Sequence, residues 1–492
     1  MLDSYELSFG RIIYERLVKR ADEVVIVNSD DQPVTANQLL ERVRAAASQL
    51  AGQNVNAADR VVICVVDNVD ALVCLIACWH LSATPVLIDF RTPASQRSNI
   101  SKLVSAKYII EDRHPKGADD YDYIKWADIQ HGTTPIETDF PDFETLAQVP
   151  AFLSLSSGTT GFPKAYVQSH AQVASKILTR QKLEGTGGGT FFTPMTLSFS
   201  ATRQVVLNYL AFEEKVVFGK PLFSTSELVE WILSVSPTAC ALPPPIIRNL
   251  VAEVGEQKTV IFPSLKVLRS IGGPASVEDK LGAFKNLTNG YRMGYSSSLT
   301  GVATVLAGNN LLKKPASTGV PIPGIKIEIS DPVTLEPLPL GQSGLIKVQT
   351  PYLASKIIHY NENEVCNEFI DQGWASAGDL GFLDSDGFLT LTGRLGDMIV
   401  RGGVNIAPQE LENILRLHQS VEDVAVLGIE DEDFGEEIVA FFVSKTATEK
   451  ELYEFCMQEI SPERRPRIIK LVDRLPYNLN NKLDRNKLRS LI

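Results

Sequence analysis

Residues 61–89 read as strand, helix, strand: Val61–Val66 is a mostly β-branched run, Val69–Leu81 an apolar stretch of helix length, and Thr84–Ile88 a second short apolar run closed by Asp89. Parallel strands need a crossover of this kind, so the chain is committed to a parallel sheet with helices on its faces. The rhythm returns near 205–218, 228–242 and 266–271. Pro243-Pro244-Pro245 ends one of these apolar runs and reads as a rigid turn. Around 319–350 the pattern changes to short alternating segments with Pro and Gly turns, which predicts an antiparallel subdomain. A further break falls at Gly393-Arg394-Leu395-Gly396-Asp397. Beyond it, Ala407-Pro408-Gln409-Glu410 opens a helix with proline in its first turn. Val424–Ile429, Ile438–Val443 and Ile468–Val472 read as strands, and Glu449–Ile460 as a helix. At 492 residues the chain is too long for one ordinary core. The expected fold is α/β, with a large N-terminal domain (1–393) of parallel or mixed sheets flanked by helices and carrying the antiparallel subdomain. A hinge at 394–396, pivoting on Gly396, leads to a small mobile α+β C-terminal domain (397–492).

The composition is that of a globular protein, 44% hydrophobic and 22% charged. A net charge of −12 argues against nucleic acid or an anionic membrane as the main partner, so an anionic substrate must be met by local positive groups. The six cysteines show no paired spacing for zinc or a disulfide framework, and Cys74 and Cys78 share a helical face suited to core packing. With no basic-then-apolar leader and no apolar run near membrane-spanning length, a cytoplasmic enzyme without a membrane span is expected.

The chemistry concentrates first in Ser156-Ser157-Gly158-Thr159-Thr160-Gly161-Phe162-Pro163-Lys164. Glycines at 158 and 161 allow close backbone approach, hydroxyls and N–H groups can ring an anion, and Lys164 adds a point charge. The spacing is not that of a Walker loop. Apolar runs on both sides, Ala151–Leu155 and Ala165–Val167, predict a phosphate cradle held between two strands.

Four clusters follow. Ser270-Ile271-Gly272-Gly273-Pro274-Ala275 offers bare backbone at a strand end; Tyr295-Ser296-Ser297-Ser298-Leu299-Thr300-Gly301 is an aromatic ring followed by hydroxyls. Trp374-Ala375-Ser376-Ala377-Gly378-Asp379-Leu380-Gly381, with Gly393-Arg394 beyond, sets a carboxylate beside glycine and a guanidinium, a combination suited to a sugar diol. Asn480-Asn481-Lys482-Leu483-Asp484-Arg485 is a polar turn carrying a lysine. Singly each has a plain structural reading. In this order, and with Asp397-Met398-Ile399…Gly402-Gly403-Val404-Asn405-Ile406…Glu410, they resemble the adenylate-forming superfamily over roughly residues 30–487: acyl- and aryl-CoA ligases, standalone adenylation enzymes and luciferases. The look is nearest to an acyl-CoA ligase.

The resemblance implies an AMP-forming acid–thiol ligase. ATP activates a carboxylic acid as an acyl-adenylate, and CoA or a carrier-protein phosphopantetheine arm then takes the acyl group. Ser156, Ser157, Gly158, Thr159, Thr160, Gly161, Lys164 and Ser298 would hold the phosphates, and Lys482 would be the catalytic lysine. Gly272, Gly273, Pro274 and Tyr295 would flank the adenine, with Asp379 and Arg394 at the ribose. Gly402 and Gly403 would serve the thiol step after rotation at Gly396, and Phe199, Ser200 and Arg203 would line the acyl pocket. A carrier would act in trans, since no Ser-centred carrier segment is present.

Departures from the pattern qualify these expectations. Leu299 stands where the family's glutamate helps hold Mg²⁺, leaving no protein carboxylate for the metal and predicting weaker Mg²⁺ binding. The same departure opens the reading of an impaired member that only binds nucleotide or acyl groups. Ala377 and Asn481 replace a threonine and a glycine without removing charge. Ser200 follows Phe199 where amino-acid-activating relatives carry aspartate, which favours an acyl or aryl acid over an α-amino acid. Arg203 could meet a second carboxylate or polar tail, the alternative being an arginine on a helix surface.

Overall fold

The structure is a computed structural model that describes residues 8–115, 120–130, 139–156, 164–184, 189–359, 369–370, 373–477 and 483–492. It divides into two compact units: one of residues 1–316, 322–325 and 349–366, the other of 317–321, 326–348 and 367–492.

The first unit is built on the expected crossover. Arg60–Cys64 and Thr84–Leu87 pair in parallel, and Asn68–His80 is the helix between them. Asp67 caps that helix by accepting the Val69 and Asp70 N–H groups. Every helix residue from Ala71 to Trp79 is apolar and buried, with Cys74 and Cys78 both at 0% exposure. Tyr108–Glu111 and Tyr123–Lys125 extend this sheet, again in parallel.

A larger sheet runs in the order Thr304–Ala307, Tyr291–Met293, Val267–Ser270, Ala239–Leu242, Thr190–Thr193, Lys215–Phe218, Val24–Val27, Pro33–Thr35. Its inner strands are parallel, while Thr304–Ala307 and Pro33–Thr35 join antiparallel. Parallel strands covered on both faces are buried as apolar runs, which is why their sequences show little alternation. A third, antiparallel sheet holds Pro150–Ser156, Lys164–Ser169 and Lys356–Ile358. The triple proline is not the turn the sequence suggested: Pro243 is the N-cap and Pro244 the first residue of the helix Pro244–Val254. Proline there loses only an N–H that no helix could have bonded.

In the second unit, Gly344–Gln349, Asp379–Leu383 and Leu389–Arg394 pair antiparallel within a six-stranded sheet, in line with the expected subdomain. A five-stranded sheet follows, containing Ile399–Arg401, Val404–Ile406, Asp423–Asp431, Gly435–Val443 and Ile468–Leu471. The helices Pro408–Leu415 and Glu449–Glu459 cover one face through Leu411, Leu415, Leu452 and Cys456, packed on Val424, Val426, Ile438, Ala440 and Phe442. Among the described residues, no helix is long and apolar enough to cross a membrane.

Candidate active site

In the first unit the cradle's two flanks form an antiparallel ladder that brings Ser156 opposite Lys164. The strands thereby fix both ends of the segment between them. Ser157, Gly158, Thr159, Thr160 and Gly161 lie outside the described residues, as does the side chain of Ser156.

Each flanking strand is tied to another of the clusters. From the exit strand, the buried Gln168 donates through Nε2 to the Ser298 carbonyl at 3.2 Å. Ser298 lies in the hairpin of Ser296–Ser297 and Gly301–Val302, whose tip is held by Ser297 Oγ accepting the Thr300 N–H at 3.0 Å. Tyr295 is 4% exposed and its N–H donates to Thr304 Oγ1 at 2.8 Å, so most of its ring is covered by protein. Leu299 is fully buried, and its carbonyl accepts the Ala354 N–H. The hairpin carries hydroxyls and carbonyls but no carboxylate, so it cannot offer Mg²⁺ the ligand a glutamate would supply. Among the described residues, no group of three or more His, Cys, Asp or Glu side chains is placed to hold a metal.

From the entry strand, Ser154 Oγ lies 3.1 Å from Ser200 Oγ and accepts from Arg203 Nη2 at 3.0 Å. Arg203 Nη1 donates to the Leu197 carbonyl at 3.1 Å, and the guanidinium lies 4.6 Å from the Phe152 ring centroid. Arg203 is therefore an interior residue, 1% exposed, and not the surface arginine the sequence also allowed. Asn68 sets the loop that precedes it, accepting the Leu197 N–H at 2.9 Å and donating to the Met195 carbonyl at 3.2 Å. Phe199, in turn, lies on the backbone of Gly272: a Cβ there would come within 2.6 Å of the Phe199 ring, and Gly272 has φ +90°. A Cβ on Gly273 would meet only Pro244 among the described residues, at 3.9 Å. Asn68, Ser154 and Gln168 carried no motif; a polar residue inside an apolar run was their one signal.

In the second unit, Asp379 opens one strand and Arg394 closes its antiparallel neighbour, in direct register. Arg394 Nε donates to Asp379 Oδ1 at 2.6 Å, and the arginine is the more exposed partner. Gly378 takes φ +79°, and its carbonyl accepts the Leu395 N–H at 2.7 Å, tying the carboxylate's turn to the start of the 395–397 turn. Gly396 lies within that 3₁₀ turn. Immediately after it, Asp397 meets Arg485, which also reaches the buried Glu412. Gly402 and Gly403 form an exposed turn with φ +56° and +82°, and the Gly402 N–H donates to the Phe434 carbonyl. Lys482 lies outside the described residues.

The model of the AMP-binding enzyme family matches residues 13–357, and that of the AMP-binding enzyme C-terminal domain matches 410–482. A 2-succinylbenzoate–CoA ligase of Bacillus licheniformis is 26% identical over 478 residues, covering 95% of this chain and 96% of that protein. Among solved structures, the o-succinylbenzoate CoA synthetase of Bacillus subtilis, in complex with an acyl-adenylate intermediate, superposes with a TM-score of 0.86 at 22% identity, covering 98% of each chain. The amide bond synthetase McbA of Marinactinospora thermotolerans gives 0.83 at 19% identity, covering 98% of this chain and 99% of that one. The first of these matches spans most of the chain, and the protein belongs to the AMP-binding enzyme family.

Proposed function

We propose that this protein activates a carboxylic acid with ATP and passes the acyl group to the thiol of CoA. One observation carries the reading. The cradle's flanking strands, the 199–203 segment and the 295–301 hairpin, separate in sequence, are joined by side-chain bonds in one unit of an AMP-binding enzyme. The relative that supports the thiol as acceptor is the ligase aligned over 95% of the chain.

The chemistry has two steps. A carboxylate oxygen attacks the α-phosphorus of ATP, and pyrophosphate leaves with the electron pair of the broken P–O bond. The thiol sulfur then attacks the acyl carbon, its proton passes to base, and AMP leaves carrying the carboxylate oxygen. The first step joins two anions, so positioned positive charge and N–H donors matter most. Residues 156–164 are assigned to the β- and γ-phosphates, with Lys164 as point charge and Ser298 beside them. Lys482 is assigned to the carboxylate and α-phosphate oxygens. Asp379 would accept the ribose hydroxyls, with Arg394 fixing its carboxylate, and Gly272–Pro274 with Tyr295 would border the adenine. When bound, Mg²⁺ would neutralise phosphate charge, held through the phosphates and water because Leu299 supplies no ligand. Gly396 is assigned as the pivot between the two steps and Gly402–Gly403 as the thiol-step turn. An enzyme of this kind, drawing on ATP and CoA, is read as cytoplasmic.

The test is mass spectrometry after incubation with ATP, Mg²⁺ and a panel of acids. Acyl-AMP without thiol and acyl-CoA on adding CoA are expected. Acyl-AMP that passes only to a carrier protein would replace CoA as acceptor, and no acyl-AMP from any acid would overturn the reading.

A further inference from the structure

Two buried cations lie close enough to interact, Lys176 against Gly301 of the hairpin and Arg203 in the 199–203 segment. Lys176 lies on the helix His170–Glu184. Part of its stem is accessible, but its Nζ is buried and has no hydrogen-bond partner among the described residues. The Nζ lies 5.9 Å from the Tyr352 ring centroid. Gly301 packs against the stem: a Cβ on Gly301 would come within 3.1 Å of Lys176 Cε and 2.9 Å of the Tyr352 ring. Arg203, from the neighbouring helix, keeps its Nε unbonded in the interior.

The two repel one another. Burial, and then the Arg203 charge, lower the Lys176 pKa to about 7, and burial lowers that of Arg203 to about 10. Among the described residues no carboxylate pairs with either. A buried cation without a counterion is costly, and two beside each other are more so. Lysine and arginine at these positions are poor choices for packing alone, where a methionine or leucine would serve better. They are good choices for receiving an anion that arrives with a ligand. Arg203 is bonded through Ser154 to Ser200, on the segment assigned above to the acid and not to the nucleotide.

We propose that Lys176 and Arg203 form a specificity site for a second anionic group on the acid, so that the substrate class is a dicarboxylic acid. One carboxylate reacts with ATP while the other replaces the missing counterion between Lys176 and Arg203. This rests on the acid-activating function proposed above.

The experiment measures acid-dependent ATP–pyrophosphate exchange with aliphatic and aromatic dicarboxylic acids, each beside its half-ester, for the wild type, Lys176→Met and Lys176→Arg. The wild type should favour the diacid, and Lys176→Met should lower the diacid-to-half-ester ratio of kcat/KM by about tenfold or more, the size expected for removing one side of a buried charge pair. Lys176→Arg should retain the preference. Thermal shift supplies a reading without turnover: diacid alone should stabilise the wild type more than half-ester does, and Lys176→Met should erase that difference while keeping the shift caused by ATP. Equal use of diacid and half-ester by the wild type would overturn the proposal. So would a Lys176→Met protein that loses the ATP shift, which would give the pair to a phosphate. Exchange with no acid at all would instead sink the underlying function.

Discussion

Leu299 is fully buried at the tip of its hairpin, at the position where the resemblance to adenylate-forming enzymes sets a metal-binding glutamate. Leu299→Glu should lower the Mg²⁺ concentration needed for half-maximal pyrophosphate exchange. An unchanged Mg²⁺ dependence would mean that this side chain serves packing alone. His170 makes a different, pH-linked prediction. Its Nδ1 accepts the Gly10 N–H at 3.0 Å, its ring lies against Trp79, and burial lowers its pKa from 6.5 to about 3. The folded state keeps it neutral while the unfolded chain takes up a proton below pH 6.5, so its contribution to stability falls as the pH drops from 6.5 towards 3. Urea unfolding of His170→Gln should show a shallower loss of stability with acid over that window than the wild type. Single residues are also where the sequence was least legible. Arg203 could be read as a surface residue because its interior partner, Ser154, is 49 positions away. Nothing in the helical pattern around Lys176 announces a buried ammonium.

At the scale of elements, the sequence was a better guide. The crossover helix, the strands on either side of the cradle and the elements of the C-terminal segment all carry long apolar runs or capped helical patterns, signals that act locally. Pro243–Pro245 was misread because a triple proline satisfies both a turn and a helix start, and only the following apolar spacing decides between them. The junction of Phe199 with Gly272 was not legible, since it joins two elements by contact alone. It gives a paired prediction. Gly272→Ala puts a methyl into the Phe199 ring at a positive φ and should destabilise the protein by about 1–3 kcal/mol in urea denaturation. Gly273→Ala has room, so its stability should change by no more than about 0.5 kcal/mol. Its effect should appear instead as a raised KM for ATP.

At the scale of the whole molecule, the chain is two compact units; Lys164 and Ser298 lie in the first, Asp379, Arg394 and Gly396 in the second. Asp397 is tied through Arg485 to Glu412, and the pivot is assigned to Gly396, just before it within the second unit. Gly396→Pro, which fixes φ at the pivot, should slow thioester formation by about tenfold or more relative to pyrophosphate exchange, as measured by the two assays side by side. Lys482→Ala should instead lower adenylation itself, on the order of 10²–10³-fold in exchange rate. The central claim is that the acid's own oxygen attacks the α-phosphorus. The direct measurement is turnover of an acid labelled with ¹⁸O in its carboxylate, with ATP and CoA, followed by mass spectrometry of the products. The account predicts one labelled oxygen in AMP and none in pyrophosphate; unlabelled AMP, or label in pyrophosphate, would contradict it.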